Sequence, residues 1–143
     1  MTNAERVDEV TVLFVEDDPA FADMYRLKLE MDGYSVRLAR DGQEAFDMLQ
    51  AAGDDLPDLV FLDIRLPKMD GIALLQRLRR SSSTESLPVV ILSNYGEEDL
   101  IRQGLQLGAL EYLIKANVTP AQLSQGIEKW SSPLTLSDPG RPR

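Results

Sequence analysis

Four of the five short apolar runs in this sequence are followed at once by a carboxylate, a hydroxyl or an ammonium group. These polar residues are Glu16, Asp17 and Asp18 after the first run, Asp63 after the third, Ser93 after the fourth and Lys115 after the fifth. Carboxylate oxygens are hard ligands that suit Mg²⁺, and an aspartate beside a bound cation can attack phosphorus and form an acyl phosphate. If the fold gathers these residues, their types predict metal-dependent phosphoryl chemistry.

The acidic residues predict a site for a divalent cation. Glu16, Asp17 and Asp63 brought close together would repel one another by about 1 to 4 kcal/mol per pair, depending on the effective dielectric. Mg²⁺ relieves that repulsion, and a chain without histidine or cysteine lacks the ligands that softer metals prefer. We expect Asp17 to bind the metal directly, Glu16 to bind it directly or through water, and Asp63 to belong to the same metal site. The backbone carbonyl of Arg65 is a further predicted ligand.

The parts of a phosphoryl transfer can be assigned to the same group of residues. Asp63 is the predicted nucleophile. Ser93 is expected to donate a hydrogen bond to one phosphoryl oxygen, and Lys115 to pair with another. With the metal, these groups would balance the charge on the equatorial oxygens.

Each of these residues also has an ordinary structural explanation. Asp18 is the best candidate for a helix cap, and Asp63 before a turn can be a turn former. A lone Ser93 is more often structural, and Lys115 by itself would be a solvated surface lysine. The functional interpretation is favoured because all of these groups follow strand-length runs.

The elements that must position these residues are visible in the apolar pattern. Five runs have the length of strands, at residues 10–15, 34–39, 59–62, 88–92 and 109–114. Helical spacing lies between and after them, in the sets Ala20, Met24, Leu27, Met31; Ala45, Leu49, Ala52; Ile72, Leu75, Leu78; Leu100, Ile101, Leu105; and Leu123, Ile127, Trp130. This alternation predicts a parallel sheet covered by helices on both faces.

The composition of the runs predicts the strand order. The first, third and fourth runs are almost wholly apolar, as central strands buried on both faces are. The second and fifth alternate, with Ser35, Arg37 and Glu111 between apolar residues, which is typical of half-exposed edges. The predicted order is 2-1-3-4-5, a flavodoxin-like, doubly wound α/β sheet. Its ligand site would lie beyond the carboxyl ends of the first and third strands, where the polar residues are.

Length and charge limit the classes of function. The chain has 143 residues and 43% hydrophobic content, which fits one domain, predicted at 10–131 between a polar arm at 1–9 and a disordered tail at 132–143. A net charge of −9 argues against direct binding of nucleic acid. We find no secretion pattern and no long apolar span, so we expect a cytoplasmic protein that does not enter membranes.

Four segments together resemble the receiver domain of bacterial two-component response regulators: VLFVEDDP, LVFLDIRLPKMDG, VVILSNYG and GALEYLIKA. The resemblance covers about residues 10 to 130 and is to the single-domain, chemotaxis-regulator-like form. It implies these positions: phosphoacceptor Asp63, acidic pair Glu16 and Asp17, hydroxyl Ser93, lysine Lys115 and aromatic Tyr112, with Ser93 and Tyr112 forming the switch. Without the resemblance, Tyr112 would be assigned to the core of an edge strand.

The resemblance also implies partners and an activity. A sensor histidine kinase or a phosphotransfer protein would phosphorylate Asp63 with Mg²⁺, and phosphorylation would switch contacts with an unknown downstream protein. Such a domain is a signalling phosphoacceptor that catalyses only its own phosphotransfer and dephosphorylation. The alternative is a receiver-like interaction module that works without phosphorylation.

Two other classes share parts of the pattern. A flavodoxin-type cofactor binder would have the same fold, but no loop here is a Gly/Ser/Thr-rich phosphate cradle. An aspartate-nucleophile phosphohydrolase would place a second Asp two residues after the first, where this chain has Arg65. Both are less consistent with the sequence than the phosphoacceptor.

Overall fold

The computed structural model describes residues 9–131. The strands are β1 (Thr11–Val15), β2 (Ser35–Ala39), β3 (Leu59–Leu62), β4 (Val89–Ser93) and β5 (Glu111–Ile114). The helices are α1 (Pro19–Met31), α2 (Gly42–Ala51), α3 (Gly71–Arg80), α4 (Glu98–Gln106) and α5 (Pro120–Ser131). The predicted tail at 132–143, and the predicted arm at 1–9 apart from Glu9, lie outside the described residues.

The five strands form one parallel sheet in the order β2-β1-β3-β4-β5, as predicted. All residues of β3 and β4 are buried, and β1 is buried from its second residue onward. β2 and β5 are largely half-exposed. The contrast between continuous and alternating apolar runs therefore identified the central and edge strands correctly.

Helices cover both faces of the sheet, so the sheet separates two apolar cores. Val12 and Phe14 of β1 face one core, and Leu13 and Val15 face the other, as the two-residue period of a strand requires. α1 and α5 cover the Phe14 side, whereas α2 and α3 cover the Leu13 side. This two-sided burial makes a rigid platform whose carboxyl edge carries the polar residues.

Side-chain hydrogen bonds mark the starts of three helices, and the cap predicted at Asp18 is confirmed. Asp18 accepts a hydrogen bond from Ala20 N at 3.0 Å, so it caps α1. Asp70 caps α3, accepting from Ala73 N at 2.8 Å. Thr119 begins α5, and its hydroxyl accepts from Gln122 N at 3.1 Å while the Gln122 side chain accepts from Thr119 N.

The predicted apolar face of α1 is wrong. Met24, Leu27 and Met31 are 45%, 56% and 79% exposed, and the buried residues are Ala22, Tyr25 and Leu29. Both sets have helical spacing, so periodicity could not choose between them. The tertiary structure chooses Tyr25 because its ring packs against Phe14 at a centroid distance of 5.5 Å. Its hydroxyl donates to the Val118 carbonyl at 2.7 Å.

Two further helical predictions hold only in part. In α2, Ala45 and Leu49 are buried, but Ala52 lies just past the end of the helix. The prediction for α5 holds fully, because Leu123, Ile127 and Trp130 are all buried. In α4 none of the three predicted residues is fully buried, and Leu105 is exposed. α4 is therefore the helix with the least apolar anchorage, with Gly104 as its one buried residue.

Candidate functional site

The register of β1 and β3 brings two acidic segments together. Val15 lies opposite Leu62, and the backbone N–H of Asp63 donates to the Val15 carbonyl at 3.1 Å. The residues that follow the two strands, Glu16 and Asp63, therefore leave the sheet side by side. Forty-six intervening residues make this proximity a product of parallel pairing.

Three carboxylates form an acidic cluster at this edge. One oxygen from each of Glu16, Asp17 and Asp63 lies within 4.8 Å of the other two. Glu16 and Asp63 are buried and Asp17 is exposed, so the cluster has one open side. Hard oxygen donors at this spacing fit a divalent cation that keeps some of its waters. These residues could bind a metal.

Lys115 closes the cluster from the β5 side. Its ammonium nitrogen lies 2.9 Å from Asp63 Oδ2 and 2.5 Å from Glu16 Oε1. The side chain is buried, and its nitrogen lies 4.4 Å from the centroid of the Phe21 ring on α1. Lys115 is therefore a buried partner of the carboxylates and not a solvated surface lysine.

The electrostatics leave the cluster short of positive charge. Burial lowers the pKa of Lys115, but its close contacts with the Glu16 and Asp63 carboxylates outweigh burial and raise the pKa above its ordinary value. Burial is the main cause that raises the pKa of Glu16, with the charge of Asp63 adding to it. Glu16 Oε1 makes an ion pair with Lys115 but no regular hydrogen bond among the described residues. Two buried carboxylates share one ammonium, so an additional cation would be favourable.

The Asp63 carboxylate is held by the loop that follows it. Oδ1 accepts a hydrogen bond from Ile64 N at 2.7 Å, and the Gly71 N–H donates to the Ile64 carbonyl at 2.8 Å. A Cβ on Gly71 would lie 2.2 Å from the Asp63 carbonyl oxygen, so only glycine permits this approach. The Asp70-Gly71 pair thus caps α3 and packs the loop against Asp63.

Ser93 and Tyr112 meet at the loop after β4. Ser93 is fully buried at the end of β4, and its hydroxyl accepts a hydrogen bond from Tyr95 N at 3.1 Å. The Tyr112 hydroxyl donates to the backbone carbonyl of the same Tyr95. Burial raises the pKa of Tyr112, so its hydroxyl keeps its proton and stays a donor. One residue of the loop therefore connects the two predicted switch residues.

The Arg65 side chain contacts the loop after β4. Its guanidinium carbon lies 4.4 Å from the centroid of the Tyr95 ring, and Nη2 lies 3.5 Å from Glu97 Oε2. The side chain therefore crosses from the loop after β3 to the loop after β4. The predicted ligation of a metal by its backbone carbonyl stays a prediction.

Sequence reasoning missed two contributors to this site. Phe21, which lies against Lys115, belongs to a face of α1 that was not predicted to be buried. Gly71 was not among the predicted site residues, although it makes the close approach to the Asp63 carbonyl. The spacing of Phe21, Tyr25 and Leu29 was the available indication for the first. The second depends on the path of a distant backbone, which spacing does not show.

Comparison with known proteins agrees with this geometry. A family model described as "Response regulator receiver domain" matches residues 12–128. The chain belongs to the response regulator receiver domain family. Receiver domains take phosphate from histidine kinases and are signalling phosphoacceptors. The fold and the predicted family are thereby confirmed.

Individual relatives extend the comparison. The DNA-binding dual master transcriptional regulator RpaA of Synechocystis sp. is 43% identical over 105 residues, which are 73% of this chain and 42% of RpaA. The chain thus spans less than half of the length of that relative.

Solved structures give the same result. The Mn²⁺-bound response regulator Rcp1 has 29% identity and a TM-score of 0.73, covering 85% of this chain and 93% of Rcp1. A CheY-like receiver domain protein from Methanospirillum hungatei has 26% identity and a TM-score of 0.77, covering 86% and 94%. In the described part of this receiver domain, no helix has the length and apolar character needed to cross a membrane.

Proposed function

We propose that this receiver domain accepts a phosphoryl group on Asp63 in a Mg²⁺-dependent reaction and that phosphorylation switches its contacts with another protein. The single observation that carries the proposal is the acidic cluster with Lys115 inserted between Glu16 and Asp63. The donor is a histidine kinase or a phosphotransfer protein. The cytoplasm is the expected location, because the donors of receiver domains act there.

Three carboxylates and one backbone carbonyl would bind the metal. Glu16, Asp17 and Asp63 would supply carboxylate oxygens, and the Arg65 carbonyl a further oxygen. Bound Mg²⁺ would supply positive charge to the phosphoryl oxygens and offset the repulsion among the carboxylates. The open side of the cluster, at exposed Asp17, is where the phosphodonor would approach.

The transfer itself needs an oriented nucleophile. An Asp63 carboxylate oxygen forms a bond to phosphorus while the bond between phosphorus and the donor histidine nitrogen breaks, and the electron pair stays on that nitrogen. Ile64 N and Lys115 hold the two Asp63 oxygens in a fixed orientation, so little reorganisation is needed. Lys115 and Ser93 would then contact the phosphoryl oxygens.

A small-molecule phosphodonor tests the proposal directly. The protein is incubated with acetyl phosphate with and without Mg²⁺, and the intact mass is measured. The expected result is the gain of one phosphoryl group only with Mg²⁺, lost in Asp63→Asn. Uptake by Asp63→Asn at the wild-type rate would refute Asp63 as the acceptor.

The competing function is an interaction module that works without phosphorylation. In that case no mass gain would occur with any donor, while partner binding would persist in Asp63→Asn. The paired burial of Lys115 with two carboxylates favours the phosphoacceptor, because a binding module has no need to keep this charged group buried at the end of β5. The phosphohydrolase alternative is disfavoured because Arg65, at the position of the expected acid, is a permanent cation.

A further inference from the structure

α4 is held differently at its two ends. Gly104 is its one buried residue, whereas each of the other four helices buries at least three. A Cβ on Gly104 would lie 2.5 Å from the Ile91 side chain, so the helix rests close to the sheet at this point. With so little apolar burial, polar contacts at the ends of α4 have a large influence on its position.

The carboxyl end of α4 is clamped by Arg79 from the last turn of α3. Arg79 Nε donates to the Leu107 carbonyl at 2.7 Å, and Nη2 donates to the Gly108 carbonyl at 3.4 Å. Nη1 donates to the Thr84 carbonyl at 3.2 Å. Arg79 has no carboxylate within ion-pair distance among residues 9–131, so its donors serve these carbonyls. The guanidinium is an external cap for the free carbonyls that end α4.

The amino end of α4 is held by weaker, exposed contacts. Glu97 is the residue before the helix, and in the described chain its side chain makes no capping hydrogen bond. It pairs instead with Arg65 at 3.5 Å, and both side chains are more than half exposed. Arg65 also lies over the Tyr95 ring. These contacts tie the start of α4 to the loop that begins at Asp63.

We propose that α4 is a hinged helix, with Arg79 as its fixed hinge and Arg65 as a latch on its amino end that phosphorylation of Asp63 releases. This inference rests on the proposed function. The Arg79 end stays in place in both states. The Arg65 end opens when the guanidinium turns toward the phosphoryl group.

Charge and geometry favour movement of Arg65 from Glu97 to the phosphoryl group. A phosphoryl group brings about −1.5 to −2 charges and three acceptor oxygens, and it can bind a guanidinium through two hydrogen bonds. Glu97 offers one carboxylate at 3.5 Å in an exposed position, which is a weaker site. Arg65 lies two positions after Asp63, so its side chain starts beside the new charge. Phosphorylation therefore draws Arg65 away from α4.

Movement of Arg65 would affect Tyr112 through Tyr95 in the loop after β4. The Tyr95 N–H donates to Ser93 Oγ, and the Tyr95 carbonyl accepts from the Tyr112 hydroxyl. When Arg65 leaves the Tyr95 ring, this residue loses its side-chain anchor, and both backbone contacts become easier to break. Arg65 is thus a positioning residue that acts on Tyr112 through Tyr95.

Hydrogen exchange measured by mass spectrometry tests the hinge in the full chain. Peptides covering 95–101 and 105–110 are followed with and without acetyl phosphate and Mg²⁺, at phosphoryl occupancies fixed by intact mass. In the wild type, phosphorylation should speed exchange at 95–101 by roughly fivefold, the factor expected for losing one exposed ion pair and one exposed cation–π contact. Exchange at 105–110 should not change.

Variants separate the latch from the hinge. Unphosphorylated Arg65→Met and Tyr95→Leu should already show the faster exchange at 95–101. Arg79→Met should speed exchange at 105–110 in both states. Arg26→Met is the control, because Arg26 is an arginine of α1 whose partners, Asp23 and Glu30, lie in the same helix and outside both peptides. It should leave both peptides as in the wild type.

The outcomes distinguish this inference from the proposed function. Absence of any mass gain would overturn the phosphoacceptor function, whatever the exchange shows. Wild-type exchange at 95–101 in unphosphorylated Arg65→Met would overturn the latch, even if phosphorylation proceeds. A phosphorylation response equal at both ends of α4 would overturn the hinge.

Discussion

The ammonium of Lys115 lies 2.9 Å from Oδ2 of Asp63, although the two residues are 52 positions apart in the chain. Both side chains are buried where the parallel strands end. The contact supplies the only positive charge that the acidic cluster receives from within hydrogen-bonding distance, among the described residues. Stability, metal binding and phosphorylation of this receiver domain should therefore all depend on it.

Lys115→Met should destabilise the protein and make it dependent on a divalent cation. Removing one partner of a buried ion pair leaves Glu16 and Asp63 uncompensated, which costs about 3 kcal/mol of unfolding free energy. Mg²⁺ should restore part of that loss, because it binds the folded state alone. Urea unfolding with and without Mg²⁺ measures both effects. The control is Lys129→Met, whose exposed pair with Glu111 should contribute about 0 to 1 kcal/mol; equal losses in the two variants would contradict the prediction.

Asp17→Asn should weaken Mg²⁺ binding by about tenfold or more, because one of three charged ligands is lost. It should leave stability nearly unchanged, since Asp17 is exposed. Calorimetric Mg²⁺ titration measures the affinity. Asp18→Asn is a matched control, because asparagine caps a helix as well as aspartate does and Asp18 serves α1. The same loss of affinity in Asp18→Asn would show a nonspecific charge effect.

Gly71→Ala should lower both stability and phosphorylation. The added Cβ would meet the Asp63 carbonyl oxygen at 2.2 Å, and backbone must move to relieve the clash. We expect a loss of about 1 to 3 kcal/mol in urea unfolding and a slower mass gain with acetyl phosphate. Gly96→Ala is the comparison, because its Cβ would meet only the end of the Ile114 side chain, at 2.9 Å. Gly96→Ala should lose much less stability than Gly71→Ala and should slow the mass gain much less.

Ser93→Ala should uncouple phosphorylation from Tyr112. A hydrogen bond from the Ser93 hydroxyl to a charged phosphoryl oxygen contributes about 1.5 to 3 kcal/mol, so its loss lowers the switched population more than tenfold. At equal phosphoryl occupancy, the NMR shifts of the Tyr112 ring should change little in this variant. Ser86→Ala, in the exposed loop after α3, should respond like the wild type. A full Tyr112 response in Ser93→Ala would remove Ser93 from the switch.

Ser124→Ala should destabilise the protein in a pH-dependent way. The Ser124 hydroxyl donates to Asp32, and this bond, with the Lys28 ion pair, holds the pKa of Asp32 below its ordinary value of 3.8. A lowered folded pKa means that the stabilisation is present above pH 3.8 and is lost as pH falls through the folded value. The melting temperature should therefore drop by a few degrees near neutral pH and by less in acid.

Ser131→Ala is the control for that pH dependence. Its hydroxyl donates to the Ile127 carbonyl at 2.7 Å, and this acceptor does not titrate. Whatever melting-temperature difference Ser131→Ala shows should be the same at both pH values. A difference for Ser124→Ala that is also constant would mean that Asp32 is not the group responsible.

Most of the fold could be predicted because burial on both faces of a strand demands a continuous apolar run. Residues 59–62 (LVFL) and 89–92 (VVIL) meet that demand, whereas 35–39 (SVRLA) does not, and the strand order follows. Asp18, Asp70 and Thr119 mark helix starts by local hydrogen bonding, which depends on residues two or three positions away. Interactions between residues so close in the chain can be predicted from a single sequence.

The meeting of the polar residues at one edge of the sheet was predictable for a related reason. Parallel strands all end at one edge, so residues that follow them must come together whatever the details of packing. This places Glu16 near Asp63 and brings Lys115 toward both. The sequence does not say that Lys115 is buried. That follows from the Phe21 ring and from the two carboxylates that accept its charge.

By itself, then, the sequence determined which segments are strands, their order and which polar groups reach the carboxyl edge, because alternation and strand ends are local properties of the chain. Only the tertiary structure decided which face of α1 is buried, since Tyr25 and Met24 lie on two apolar faces of equal period and the Phe14 ring selects one. It also decided that Arg65 reaches Tyr95 and that Arg79 caps α4. These contacts join residues about 30 positions apart, and their existence depends on how loops and helices pack around the sheet.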